Sequence, residues 1–167
     1  LIYNKKLSVS PVTTHIPLSQ VPKKISQNII VEKVKIINNF FKKNFHKKPN
    51  FAILGLNPHN FNLPKKSEEK KIISKAVKSL SKLKIKATGP VASDSSFMIF
   101  KKYKFNVIVG MYHDQVLTPF KALYNFNAIN ITLGLPFIRI SPDHGTAKNI
   151  TGKKIANPNS LIESIKF

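Results

Sequence analysis

Three histidines, three aspartates and one arginine are the side chains of this chain best suited to chemistry. His15, His59 and His113 lie 44 and 54 residues apart. No local metal signature has that spacing. Imidazole is nonetheless the commonest metal ligand, and three imidazoles with an open position make a catalytic metal site. The competing reading is that each ring only hydrogen-bonds a loop, and spacing does not separate the two. Asp94 and Asp114 are candidates to orient such ligands or to complete the coordination. Asp94, in Ala92-Ser93-Asp94-Ser95, equally suits a turn or a helix cap. Arg139 is the single arginine among 28 basic residues. Its planar fork binds phosphate or carboxylate bidentately, so lysine does not replace it. With Lys121 and Asn130 it would hold a small phosphorylated or carboxylated substrate, although Lys121 alone carries no signal among so many lysines. The alternative for Arg139 is a structural ion pair, and only seven acids exist to make one. His46, in Phe45-His46-Lys47-Lys48, reads as the polar end of a helix. Neither GxGxxG nor a Walker lysine motif occurs, so a Rossmann or P-loop nucleotide site is not supported.

Alternating strands and helices must position these residues. Leu7–Thr13 reads as a strand stopped before Pro17. Ile30, Val34, Ile37, Phe41 and Phe45 recur with helical spacing. Phe51–Leu56 is a short apolar run leading into Gly55-Leu56-Asn57-Pro58-His59. Ser67 with Glu68 and Glu69 resembles a helix N-terminus, with acids near the positive dipole end, and the apolar spacing runs on to Leu83. Ile85–Thr88 suggests a strand ended by Gly89-Pro90, Ser95–Lys104 a helix, and Val107–Gly110 and Ala128–Leu133 two further strands. Such alternation argues for an α/β fold with a largely buried sheet. His15, His59 and His113 each fall just after an expected strand, and in open α/β sheets ligands gather at the carboxyl ends of strands.

Composition narrows the classes. The net charge is +21, which raises nucleic acid or an anionic membrane as partners. The lysines are spread over every segment and arginine is almost absent. Lys, Ile, Asn and Phe, all with A/T-rich codons, dominate the chain, so compositional drift explains the charge better than a nucleic-acid partner does. No run approaches a membrane span. The absence of cysteine excludes disulfides and thiolate metal sites and fits a cytoplasmic location. The start at Leu1 and the end at Phe167, inside the apolar run Leu161, Ile162 and Ile165, read as cuts in a longer protein.

The chain resembles the 4-hydroxythreonine-4-phosphate dehydrogenase family. The matching segments are Thr13-Thr14-His15-Ile16-Pro17-Leu18, Gly55-Leu56-Asn57-Pro58-His59, Gly89-Pro90 with Asp94, Met111-Tyr112-His113-Asp114-Gln115, and Asn130 through Ala147. They occur in family order across the whole chain. The resemblance implies an isocitrate/isopropylmalate dehydrogenase-like α/β fold, with 1–167 as the C-terminal half of a two-domain dehydrogenase whose N-terminal half is absent. It implies that His15, His59 and His113 are ligands of a divalent metal (zinc, magnesium or cobalt), assembled from both subunits of a homodimer. Lys121, Asn130 and Arg139 align with substrate-binding positions. His144, Gly145, Thr146, Ala147 and Asn157 resemble the adenine-side loop and would contact NAD. The implied reaction oxidises 4-phosphooxy-L-threonine to a 3-oxo acid that decarboxylates to 3-amino-2-oxopropyl phosphate, in pyridoxal 5'-phosphate biosynthesis. Phosphorylated threonate or erythronate are alternative substrates, and an inactive fragment or dimerisation domain is the non-enzymatic alternative. The sequence departs from the family in three places. The loop Asn60–Lys66 has no glycine, Val116 stands where glycine is usual, and Asn149 replaces an acid.

Overall fold

A computed structural model describes residues 1–59 and 64–167; residues 60–63 of the departing loop lie outside it. The most apolar segments form the centre of a seven-stranded sheet. β3 (Phe51–Leu54) and β5 (Val107–Gly110) are buried at every position, as strands covered on both faces must be. They pair in parallel with each other. β5 pairs in parallel with β2 (Ser8–Pro11), and β3 with β4 (Ala87–Val91). β1 (Ile2–Tyr3), β6 (Ile129–Thr132) and β7 (Arg139–Pro142) extend the sheet by antiparallel pairing, in the order β4-β3-β5-β2-β1-β6-β7.

Helices cover both faces. On one side α2 (Gln27–Phe45) and α3 (Ser74–Lys82) set Ile30, Val34, Ile37, Ala76 and Leu80 against Phe51, Ile53, Val107 and Val109. Ser26 caps α2 by accepting from Ile29 N. The exposed His46 closes it in the left-handed conformation, so its reading as a polar helix end is correct. On the other side α5 (His113–Tyr124) sets Val116, Leu117 and Phe120 against Val9, Ala52, Leu54 and Ile108. α4 (Ser93–Ile99) lies beside it, with Phe97 packed on the same cluster. The remaining helices are α1 (Val21–Lys24) and α6 (Asn159–Lys166).

Several expectations need correction. β4 does not stop at Gly89-Pro90 but runs through it to Val91. A side chain at Gly89 would meet Ile53 O at 2.5 Å, so only glycine lets β4 lie this close to β3. The helix expected from Ser67 opens with a π-helical segment, Glu69–Ile73, before α3. Ser67 makes no capping bond, and Glu69 turns into the interior instead of facing solvent at a helix end. α5 and β7 were not anticipated from periodicity. α5 carries Pro119 and starts directly on the His113 motif; β7 is only four residues long and half-exposed.

Candidate active site at the carboxyl edge of the sheet

β2, β5 and β3 are parallel neighbours, so their carboxyl ends lie side by side. His15 follows β2 by four residues, His113 follows β5 by three and His59 follows β3 by five. All three loops therefore leave one edge of the sheet. The chain departs from β2 and β3 toward the face under α2 and α3, and from β5 toward the face under α5. That reversal between adjacent strands opens the crevice in which open α/β sheets bind ligands.

Two of the three histidines meet within one chain. The His15 and His113 rings lie 5.6 Å apart, centre to centre. They share a cleft of about 200 Å³ with Thr13, Thr14, Tyr112 and Asp114. Asp114 Oδ1 lies 2.6 Å from His113 Nδ1, as expected of a carboxylate that orients an imidazole. The contact favours the Nδ1–H tautomer and leaves Nε2 free as an acceptor or ligand. His59 is exposed at the same edge. Among the described residues, no group of three or more His, Asp or Glu in one chain is placed to hold a metal.

Two of the three histidines adopt an uncommon backbone conformation. His15 (φ 50°) and His59 (φ 47°) both occupy the left-handed region, which costs a side-chain-bearing residue about 1–2 kcal/mol. Six other described non-glycine residues, the helix-closing His46 among them, share this region, so the conformation by itself does not mark a site. His113 is instead the first residue of α5, placed by the turn after β5.

Asp94 lies in the first turn of α4 and accepts from the backbone of Ser95 at 2.8 Å. Ala92, not Asp94, is the N-cap of α4 and no side chain caps it, so the helix-cap reading of Asp94 is not met; its charge sits in the first turn near the positive dipole end, and among the described residues no contact ties it to an imidazole. Lys121, on α5, donates to Asp143 O at 2.9 Å and lies 3.5 Å from Asp143 Oδ1. Arg139 donates to Thr132 Oγ1 at 2.8 Å across the β6–β7 pair. Asn130 pairs with Ile2 and Ser141. Since Ile2 belongs to the core under α5, the strand alternation puts Asn130, Thr132 and Arg139 on the face from which Lys121 projects. The three expected substrate residues thus share one side of the sheet. His144, Gly145, Thr146 and Ala147 form an exposed run after β7, and Asn157 accepts from Asn159 N. None of them lines the His15–His113 cleft. A larger groove of about 300 Å³, between α2 and residues 131–138, contains no histidine and no acid.

Sequence reasoning missed two carboxylates. Asp143 is the third of the chain's three aspartates. Its side chain is 8% exposed, and its Oδ2 has no hydrogen-bond partner among the described residues. Burial pushes its carboxyl above the ordinary value, against the pull of Lys121, His144 and His113. Glu69 is fully buried. Its Oε1 accepts from Leu56 N at 2.9 Å and Asn57 N at 2.8 Å, and the Asn57 amide donates to both its oxygens. Burial alone would raise this carboxyl; the bonds from Asn57 and Leu56 outweigh it and hold it below the usual range. The loop that carries His59 is thereby fixed to the interior. Its sequence signal was the second of two adjacent glutamates in a segment otherwise rich in lysine.

The family described as Pyridoxal phosphate biosynthetic protein PdxA matches residues 1–167. The chain is 51% identical to a 4-hydroxythreonine-4-phosphate dehydrogenase of Sulfurihydrogenibium sp. (strain YO3AOP1), over 98% of this chain and 51% of that protein. It is 41% identical to one from Aquifex aeolicus, over 100% of this chain and 52% of that protein. A crystal structure of 4-hydroxythreonine-4-phosphate dehydrogenase from Klebsiella pneumoniae superposes with a TM-score of 0.82 at 37% identity, covering 98% of this chain and 50% of that one. A terephthalate 1,2-cis-dihydrodiol dehydrogenase from Burkholderia xenovorans shares the fold alone, at 20% identity and a TM-score of 0.76. The chain spans about half the length of the curated relatives it matches. The expected fold class, α/β of the isocitrate/isopropylmalate dehydrogenase-like kind and present here in part, holds.

Proposed function

Because the chain belongs to the pyridoxal phosphate biosynthetic PdxA family, we propose that it supplies the metal-ligand and substrate-phosphate side of an NAD-dependent 4-hydroxythreonine-4-phosphate dehydrogenase. The observation that carries this reading is the pair His15 and His113, 5.6 Å apart at the edge from which His59 also emerges. On this reading 1–167 is the C-terminal half of a two-domain enzyme, and the remaining half brings further phosphate contacts and part of the cofactor cleft.

The side chains present fit a divalent cation. His15 and His113 offer neutral nitrogen donors, and Asp114 fixes the His113 tautomer so that Nε2 is available. His59, exposed at the same edge, is the third donor and comes from the second copy. With two imidazoles adjacent in one chain, a histidine from a second copy completes the set of three, which makes the site a property of a homodimer. A bound divalent cation would act as a Lewis acid on the substrate hydroxyl and on the enolate left by decarboxylation. NAD, the hydride acceptor, would lie along His144, Gly145, Thr146, Ala147 and Asn157.

The chain's own residues do the rest. Arg139 and Lys121 hold the phosphate, and Asn130 orients the substrate on the face they share. Binding at this remote group aligns the carbon that loses hydride. The Asp143 carbonyl fixes the Lys121 ammonium, so the cation waits in place. Asp114 keeps the His113 proton on Nδ1. Asp94, in the first turn of α4 at the same edge, is the candidate second carboxylate near the reacting centre.

The test uses the native gene product that carries this chain, with 4-phosphooxy-L-threonine, NAD and a divalent cation. Reduction of NAD is expected, abolished by chelation and by His113→Ala. Undiminished turnover by that variant overturns the assignment. Phosphorylated threonate and erythronate in parallel decide the substrate, since Arg139 and Lys121 suit all three.

A further inference from the structure

We propose that Gln115 is a positioning residue that holds the histidine-bearing loops in mutual register. The proposal deepens the metal site described above and rests on that reading. Gln115 is buried near the start of α5, and every function of its amide facing the site is engaged. Oε1 accepts from Met111 N at 2.6 Å, closing the turn that presents His113. Nε2 donates to Gly55 O at 2.7 Å, in the loop that leads to His59. The same nitrogen donates to Ser93 Oγ at 2.7 Å, at the start of α4 and next to Asp94. The partners fix the amide's orientation, because one is a backbone N–H and another a backbone carbonyl.

Met111 passes the constraint to the third loop. Its carbonyl accepts from Thr13 Oγ1 at 2.8 Å and from Thr13 N at 3.1 Å, two residues before His15. One buried carboxamide therefore bridges the β5 and β3 loops directly and reaches the β2 loop through a single residue. Glu69 secures the far side of the β3 loop through Leu56 and Asn57. Gly110 makes the close approach possible. A Cβ there would meet Gln115 Oε1 at 2.9 Å and Val116 Cγ1 at 2.5 Å.

Thr13 and Asn57, tied down by this network, each lie two residues before a histidine in the left-handed region, His15 and His59. The network also accounts for a glutamine, which accepts and donates at once. Ionised glutamate cannot donate, and leucine or methionine can do neither. Metal sites tolerate displacements of only about 0.5 Å in their ligands, so the relative placement of three separate loops needs a rigid common anchor.

The test compares the native gene product with Gln115→Met, which keeps the volume and loses all three bonds, and Gln115→Glu, which keeps only the acceptor for Met111 N. Leu80→Ala, buried between α3 and the sheet, is the control for general destabilisation. Cobalt(II) affinity is read from its visible absorption, and kcat and KM are measured in cobalt. Gln115→Met is expected to weaken cobalt binding roughly 10–100-fold and to lower kcat about 100-fold. KM should change little, since Lys121 lies six residues further along α5 and Arg139 lies on β7. Gln115→Glu should fall between the two, and it serves as the test variant if Gln115→Met does not fold. Leu80→Ala should lower the melting temperature while sparing cobalt affinity and kcat. If the glutamine variants instead match Leu80→Ala in every readout, the proposal is wrong. If the unmutated protein binds no cobalt and oxidises no substrate, the metal reading fails. The positioning role is then decided by metal-free crystal structures. Displacement of Met111–His113 from Gly55 by about 1 Å upholds it, and agreement within about 0.5 Å overturns it.

Discussion

His15, His59 and His113 reach the same edge by different local means. Two sit in left-handed turns and the third opens a helix. Among the described residues, only the third has its ring held by an acidic neighbour, Asp114. Glu69 shows what a single residue can contribute from inside the protein. Its folded-state carboxyl lies below its ordinary value because the bonds from Asn57 and Leu56 outweigh burial. An acid depressed in this way stabilises the fold above its unfolded value of 4.5. That contribution is lost as pH falls through the lower folded value. Glu69→Gln should therefore melt below the unmutated protein at neutral pH, with the gap closing in acid. Thermal melts across that range check it, and a gap that stays constant with pH would exclude the carboxylate's role. Arg139→Lys is the second expectation at this scale. Losing the fork removes a charge-assisted hydrogen bond of about 1.5–3 kcal/mol, so KM for the phosphorylated substrate should rise at least roughly tenfold with kcat nearly unchanged.

Elements make these side chains converge. The uninterrupted apolar runs Phe51–Leu54 and Val107–Gly110 were legible as buried strands because every position is covered. The spacing of Ile30, Val34, Ile37 and Phe41 was legible as a helix for the same reason. α5 was not, because Pro119 interrupts it and its first turn is occupied by the His-Asp-Gln motif. β7 escaped because a short, half-exposed strand needs its partner β6 to be recognised. The π-helical segment Glu69–Ile73 was read as ordinary helix, since nothing local distinguishes a glutamate that caps a helix from one drawn inward by the loop at Leu56 and Asn57. The contact of Gly110 with α5 yields a further prediction. Gly110→Ala forces Val116 or Gln115 to shift and should cost about 1–3 kcal/mol by overpacking. Denaturant unfolding measures it, and full stability would show that the turn can relax.

The whole molecule raises the question of partners. Among the described residues no helix is long and apolar enough to cross a membrane. Leu135, Phe137 and Ile138 stay exposed on the segment joining β6 to β7. The proposed site needs a second copy and a further domain. The 167-residue chain by itself should therefore show no dehydrogenase activity, whereas the native gene product should sediment as a dimer and be active. Activity from the isolated chain, or an active monomer, would refute the shared site. Several things were settled by residue order alone. They include the α/β class, the central strands and the family, because burial patterns and motifs in fixed order are local properties. The tertiary structure decided which imidazoles are neighbours, that Asp94 stands in the first turn of a helix while Asp114 holds a ring, and that Gln115 and Glu69 bond to the loops. Those contacts join residues as much as 98 positions apart, as between Thr13 and Met111, and exist only once parallel pairing has brought three strand ends to one edge.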